Sequence, residues 1–221
     1  MPASGVAGCR LWNYYPKGKS FKREFLKTVS QSPDLQSARA IFLDRDGTIN
    51  EDTGYVSHPD ELIIYPWAAA AVRLINESGL KAFVITNQSG VARGLYTEET
   101  LRAIHERMCE EFAREGARID AIYYCPHHPD FGDIKLCECR KPRPGMLHRA
   151  ACEHRIDLTR SYVIGDKASD MNLAASVGAA GVLVMTGYGR ETHAEPERWP
   201  CEPSILASDL MEAVRIILAR K

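Results

Sequence analysis

The strongest constraint on this chain is a series of short β-rich runs, each ending in a polar residue and followed by a stretch of helical periodicity. Ala40-Ile41-Phe42-Leu43 is apolar at every position and runs into Asp44, and Leu80-Lys81-Ala82-Phe83-Val84-Ile85 runs into Thr86. Ile119 to Tyr124, Tyr162 to Gly165 and Gly181 to Met185 continue the series. A half-exposed strand alternates apolar with polar side chains, whereas one apolar at consecutive positions is buried on both faces. Between these runs, Ala71, Val72, Leu74 and Ile75 mark one helix, and Leu101, Ile104, Met108 and Phe112 mark another that opens on Thr97 with Glu98 and Glu99 in its first turn. Pro144 starts a third helix, Ser169 to Val177 forms a fourth that stops at Gly178, and Leu210 to Leu218 closes the chain. Alternation of this kind predicts an α/β fold, a doubly wound and mostly parallel sheet covered on both faces.

The chain has 221 residues, room for one domain, with 28 basic against 29 acidic side chains. That balance argues against a protein that wraps nucleic acid. No stretch approaches the ~18 consecutive apolar residues needed to span a bilayer, so no membrane role is expected. Residues 1–38 differ from the rest: Arg10, Lys17, Lys19, Lys22, Arg23 and Lys27 are interleaved with Trp12, Tyr14, Tyr15, Phe21 and Phe25. They are expected to form an N-terminal extension, with Phe21, Phe25, Leu26 and Val29 on one short amphipathic helix, preceding a domain over residues 39–221. No secretory apolar segment follows the early charges, which makes the cytoplasm the expected compartment.

In a doubly wound sheet ligands bind beyond the carboxyl ends of the strands. Three polar segments fall there: Asp44-Arg45-Asp46-Gly47-Thr48, Thr86-Asn87-Gln88-Ser89-Gly90 and Gly165-Asp166-Lys167-Ala168-Ser169-Asp170. Arg140-Lys141-Pro142, ahead of the Pro144 helix, can face the same crevice. Asp44, Asp46 and Asp166 together form the oxygen-rich cluster that suits octahedral Mg²⁺. One carboxylate can attack phosphorus while a neighbour handles the proton. The Thr86 hydroxyl, the Asn87 backbone and the Lys141 ammonium would surround the phosphoryl oxygens. The pattern points to phosphoryl transfer.

The seven cysteines are an odd number in a chain of this length, which fits reduced thiols or a metal site better than a disulfide framework. Cys125-x-His127 and Cys137-x-Cys139 bring three thiolates and one imidazole into a single irregular segment, the donor set of a closed tetrahedral Zn²⁺ site with a structural role. His127 fits the paired spacing, with His128 as the alternative ligand. Cys109 and Cys152 fall on helices, where packing is the default role.

The four ordered segments resemble the motifs of the haloacid dehalogenase superfamily of phosphotransferases. The resemblance implies a Rossmann-like core with Asp44 as the nucleophile that forms an aspartyl phosphate and Asp46 as general acid and base. It further implies Mg²⁺ on the Asp44 carboxylate, the Asp46 backbone carbonyl and Asp166, with Thr86 and Lys141 stabilising the phosphoryl group and Lys167 assisting beside Asp166. Neither the interval from Asp46 to Thr86 nor that from Thr86 to Lys141 has room for a cap domain, so the core is expected to be capless. Ile49 to Val56, Thr86 to Gly90 and the run from Cys125 to Met146 are similar to the D-glycero-D-manno-heptose 1,7-bisphosphate phosphatase family. That similarity implies removal of the C7 phosphate of a small sugar bisphosphate on the way to ADP-heptose for lipopolysaccharide. It also implies a substrate cleft lined by Arg45, Asp52, Thr53, Gly54, Tyr55, Asn87, Gln88, Ser89 and Arg140. A monomer is expected. Histidinol-phosphate phosphatases share the capless core and zinc loop, but Arg140 favours a second phosphate over a cationic amine. A zinc-dependent binding module without catalysis would call for a clustered basic surface that the charge balance does not suggest.

Overall fold

The structure, a computed structural model, describes residues 10–13, 37–133, 137–198 and 202–220. Seven strands form one sheet: β1 (Arg10–Asn13), β2 (Ala40–Leu43), β3 (Lys81–Asn87), β4 (Ala121–Cys125), β5 (Tyr162–Gly165), β6 (Ala180–Val184) and β7 (Ile205–Ala207). Their spatial order is β1-β4-β3-β2-β5-β6-β7, and every pairing is parallel. Among the described residues, six α-helices flank the sheet: α1 (Ala68–Glu77), α2 (Glu98–Arg114), α3 (Gly145–His154), α4 (Ala168–Val177), α5 (Gly189–Ala194) and α6 (Leu210–Ala219).

The fully apolar strands do what their pattern requires, sending alternate side chains into two cores. Ile41, Leu43, Val84, Ile122 and Ile164 pack under α1, α2 and α6, which supply Val72, Ile75, Ile104, Met108, Phe112, Val214 and Ile217. Phe42, Phe83, Ile85, Tyr123 and Val163 face the other way, against Met146, Leu147 and Ala150 of α3 and Leu173 and Ala174 of α4. The Phe42 and Phe83 rings stack at 5.4 Å between centroids. Thr97 caps α2, accepting from the Thr100 N–H at 3.1 Å, and Gly178 ends α4 in the left-handed region at φ 71°.

Five strands were legible in the sequence, and the structure adds one at each edge. β1 lies within the segment expected as an extension, and its backbone pairs with β4 in the register Arg10↔Ala121 to Asn13↔Tyr124. The helix expected around Phe21 to Val29 lies outside the described residues. β7 has only three residues, of which Ile205 and Ala207 are buried, too short a pattern to stand out. The site is set by the change of direction in strand order at β2: β3 pairs on one side and β5 on the other. The carboxyl ends of β2 and β5 are adjacent, and the Asp44 N–H donates to the Ile164 carbonyl at 2.9 Å.

Candidate active site

Asp44 is the first residue beyond β2, 4% exposed, and its Oδ1 accepts from the Arg45 backbone N–H at 2.7 Å. The Lys141 ammonium lies 2.8 Å from the same oxygen and 2.7 Å from Asp170 Oδ1, and donates to the Ile85 carbonyl at 3.1 Å. Burial would push the Lys141 amine down, but Asp170 and Asp44 outweigh it and hold the ammonium charged. Burial pushes Asp44 up to about 6 even though Lys141 works against the rise. Lys141 reaches this point because Asn87, at the end of β3, grips its backbone: the Asn87 amide donates to the Lys141 carbonyl and its oxygen accepts from the Lys141 N–H.

Asp46 points elsewhere. Its carboxylate accepts from Arg45 Nε at 3.0 Å and from Arg45 Nη2 at 2.8 and 2.9 Å, from Asn50 Nδ2 at 3.0 Å and from Gln88 Nε2 at 2.8 Å. Burial alone would raise this carboxyl, but the Arg45 guanidinium and the donors on Asn50 and Gln88 hold it below the usual carboxylate range. Gln88 Nε2 also donates to Thr86 Oγ1 at 2.8 Å, while its oxygen accepts from the Tyr96 hydroxyl. The second strand-end motif is thereby tied to the first. Arg45, expected at the substrate, is 1% exposed with its guanidinium committed to Asp46 and His105.

Asp166 completes the floor. It is fully buried; its Oδ2 accepts from the Tyr188 N–H at 2.8 Å, while Oδ1 has no partner. Burial pushes its carboxyl up to about 7, despite the opposing charge of Lys167. Asp44, Asp166 and Asp170 each bring a carboxylate oxygen within 4.8 Å of the others. A Cβ on Gly47 or Gly187 would collide with the Asp166 carboxylate, so both backbones close on this spot as only glycine allows, each with positive φ. Clustered hard oxygens, one of them orphaned, fit a hard divalent cation such as Mg²⁺. The Asp46 carboxylate is turned away, which leaves its backbone carbonyl as the contribution expected of it.

The HAD-hydrolase-like family model matches residues 138–213. A D-glycero-β-D-manno-heptose-1,7-bisphosphate 7-phosphatase of Yersinia pestis is 48% identical over 158 residues, covering 69% of this chain and 83% of the relative. One from Thermosynechococcus vestitus is 40% identical over 185 residues, covering 80% and 94%. This chain belongs to the heptose-1,7-bisphosphate 7-phosphatase family. A solved structure of the family, the D,D-heptose 1,7-bisphosphate phosphatase of B. bronchiseptica complexed with magnesium and phosphate, matches with a TM-score of 0.77 at 38% identity, over 83% of this chain and 99% of that one. The capless expectation agrees with the fold. Between Asp46 and Thr86 the helices are a 3₁₀ turn (Pro59–Glu61) and α1, and the described residues between Thr86 and Lys141 hold α2, β4 and the cysteine loop.

In this family member the cysteine loop brings Cys125, His127, Cys137 and Cys139 together with all donor atoms within 4.8 Å. Cys125 Sγ lies 3.6 Å from Cys137 Sγ and 3.1 Å from Cys139 Sγ, and His127 Nδ1 lies 3.7 Å from Cys125 Sγ and 3.3 Å from Cys139 Sγ. A tetrahedron with Zn–S near 2.3 Å has edges of roughly 3.8 Å, so the donor set and its spacing fit zinc. The Cys137 thiol beside it pushes Cys125 up to about 12. His128 is turned away, its Nδ1 accepting from the Asp130 N–H and its Nε2 lying 3.1 Å from Arg93, and it is His127 that groups with the three cysteines. Cys109, on α2, is buried in the hydrophobic core and so packs as expected.

The remaining expected substrate residues form the rim. Asp52 accepts from the Gly54 N–H at 2.9 Å and from Lys167 Nζ at 2.7 Å, an ion pair between the loops after β2 and β5. Burial would lower Lys167, but Asp44, Asp166 and Asp52 outweigh it and raise it. Thr53, Gly54 and Tyr55 are exposed and Ser89 is half-buried. Arg93 stands 6.0 Å from the Tyr55 ring and 4.1 Å from that of Phe131 on the cysteine loop. Arg140 donates to the His127 carbonyl at 3.1 Å, tying it to the cysteine loop.

Three groups that shape the site escaped the sequence reading. Asn50 lies within the Ile49 to Val56 stretch without a role assigned to it there, and Tyr96 lies outside every motif segment. His105 lies between Ile104 and Met108 on the buried stripe of α2, and a histidine on an apolar stripe was the available signal.

Proposed function

We propose that this chain removes the C7 phosphate of D-glycero-β-D-manno-heptose 1,7-bisphosphate through an aspartyl phosphate on Asp44, in the route to ADP-heptose. The observation that carries the reading is the Asp44 carboxylate held 2.8 Å from the Lys141 ammonium, at the crevice between β2 and β5, in a member of the heptose-1,7-bisphosphate 7-phosphatase family.

Lys141, the Thr86 hydroxyl and the Asn87 backbone receive the phosphoryl oxygens and hold phosphorus in line with Asp44. The Asp44 carboxylate attacks phosphorus as the bond to the C7 oxygen breaks, and Asp46, pushed back towards its protonated form by the negative charge of the incoming phosphate, gives that oxygen a proton. Water then attacks the aspartyl phosphate while Asp46 takes its proton, which releases phosphate and restores Asp44. Asp44, Asp166 and the Asp46 carbonyl would hold Mg²⁺, which supplies charge neutralisation for the phosphoryl oxygens when bound. Lys167 assists beside Asp166. Cys125, His127, Cys137 and Cys139 would hold a structural Zn²⁺ that keeps the Arg140 loop in place. Arg140 takes the second phosphate through its guanidinium fork, and Asp52 to Tyr55 with Gln88 and Ser89 line the sugar. A phosphorylated sugar does not cross a membrane unaided and is made where its phosphate donors are, which supports a cytoplasmic reaction, and a monomer suffices because one chain supplies every group.

The test is phosphate release from heptose 1,7-bisphosphate and from histidinol phosphate by the wild type and by Asp44→Asn. The expected result is a clear preference for the heptose ester and loss of turnover in a variant that still folds. Retained turnover in Asp44→Asn, or a preference for histidinol phosphate, would overturn the reading.

A further inference from the structure

Beneath Asp46 lies a buried polar chain that the proposed chemistry does not use directly. Arg45 turns back on its neighbour, and its Nε and Nη2 grip both Asp46 oxygens. The remaining nitrogen, Nη1, lies 3.2 Å from His105 Nε2. Arg45 is 1% exposed and His105 is fully buried on α2, so neither meets solvent. A guanidinium offers donors only. The His105 Nε2 must therefore be the accepting, unprotonated nitrogen, and the tautomer is fixed with hydrogen on Nδ1. Burial, with Arg45 alongside, holds the imidazole well below its usual protonation range, which agrees with a neutral acceptor. His105 Nδ1 has no hydrogen-bond partner, and the ring packs 5.7 Å from that of Tyr124. A buried polar imidazole with one nitrogen unpaired is costly in a helix stripe that could have been apolar.

We propose that Arg45 and His105 are positioning residues for Asp46: His105 fixes the guanidinium plane, and the guanidinium fixes the carboxylate that exchanges the proton with the C7 oxygen. The proposal rests on the reading of Asp46 as proton donor. Asn50 and Gln88 also hold Asp46, but each reaches one oxygen, whereas the Arg45 fork meets both and sets the plane of the carboxylate. Misplacement by a fraction of an ångström is enough to weaken proton transfer.

The experiment compares kcat/KM for heptose 1,7-bisphosphate, whose sugar alkoxide must be protonated to leave, with kcat/KM for p-nitrophenyl phosphate, whose leaving group needs little help. Asp46→Asn provides the reference and should lose about 100-fold or more on the sugar ester but far less on the aryl ester. His105→Leu removes the acceptor at similar volume and should lose about tenfold on the sugar ester with KM nearly unchanged, and less than about threefold on the aryl ester. His105→Gln restores an acceptor to Arg45 and should recover most of the loss. If His105→Leu does not fold, Arg45→Lys, which keeps the charge without the fork, is expected to show the same discrimination between esters. Equal losses on both esters, a gain on the sugar ester, or no recovery in His105→Gln would overturn the proposal while leaving Asp46 as the donor. Absence of discrimination in Asp46→Asn itself would instead overturn the reading of Asp46.

Discussion

Asn87 and Lys141 are joined twice, the Asn87 side chain donating to the Lys141 carbonyl at 3.2 Å and accepting from the Lys141 N–H at 3.0 Å. This pair fastens the loop after the cysteine site to the end of β3 and sets where the Lys141 side chain begins. The carboxamide of Asn87 is committed to the lysine backbone, which leaves the Asn87 backbone for the role expected of it. Asn87→Ala should therefore act as a displaced lysine. Steady-state kinetics should show kcat/KM lowered by about 10- to 100-fold, and thermal unfolding should show a stability loss of about 1–2 kcal/mol for the two bonds. A variant with unchanged kinetics would separate Asn87 from the placement of Lys141.

Gly47 serves the site through what it lacks. Its φ is 84°, and a Cβ there would strike the Asp166 carboxylate. Gly94 is a matched comparison, with φ 70° and nothing within 4 Å of an added Cβ. Both alanine variants incur the left-handed backbone cost of about 1 kcal/mol. Only Gly47→Ala should also lose Mg²⁺ binding. Titration calorimetry with MgCl₂ is expected to detect binding in Gly94→Ala and none in Gly47→Ala.

Asp44 and Asp166 are pushed by burial to about 6 and about 7, above the 3.8 of an open carboxylate. Between these values and 3.8 the folded chain holds more protons than the unfolded one, so stability contributed by the neutral carboxyls is full at low pH and is lost as pH rises through the folded values. A cation among the carboxylates favours their charged form and opposes that loss. The rise in melting temperature on adding MgCl₂ should thus be small at pH 5 and larger at pH 8. A rise that is equal at both, or larger at pH 5, would contradict the carboxylate cluster as the Mg²⁺ site.

The sheet and the strand-end carboxylates were legible because both follow from local pattern: fully apolar runs require two-sided burial, and a parallel sheet brings their polar ends together. The edges were not legible. Arg10–Asn13 sits in a basic stretch whose composition suggests an appendage, yet its backbone pairs with Ala121 to Tyr124, a contact no local period encodes. The inward turn of Arg45 was equally hidden, because nothing local to a charged residue between two strand-end carboxylates points to His105, sixty positions away, which meets its Nη1. Asp170 could be read as a helix-start acid, and only the fold shows its oxygen 2.7 Å from Lys141.

The cysteine loop offers the clearest separation between holding a site and performing its chemistry. Arg140 donates to the carbonyl of His127 and Arg143 Nη1 to that of Cys137 at 2.6 Å, so two of the four donors are tied to the cationic segment around Lys141. Elemental analysis should find about one zinc per chain, and the Cys137→Ser, Cys139→Ser double variant should contain none. With only Cys125 and His127 left as donors no cation holds the two ends of the loop together, and the loop should reopen, with a lower melting temperature and faster proteolysis between Cys125 and Lys141. The kinetic loss should be chiefly in KM, through Arg140, with kcat falling as far as Lys141 shifts with the loop. Arg140→Ala in the zinc-loaded protein should reproduce the KM effect alone. If the double variant keeps its melting temperature and its KM, the four side chains form no metal centre.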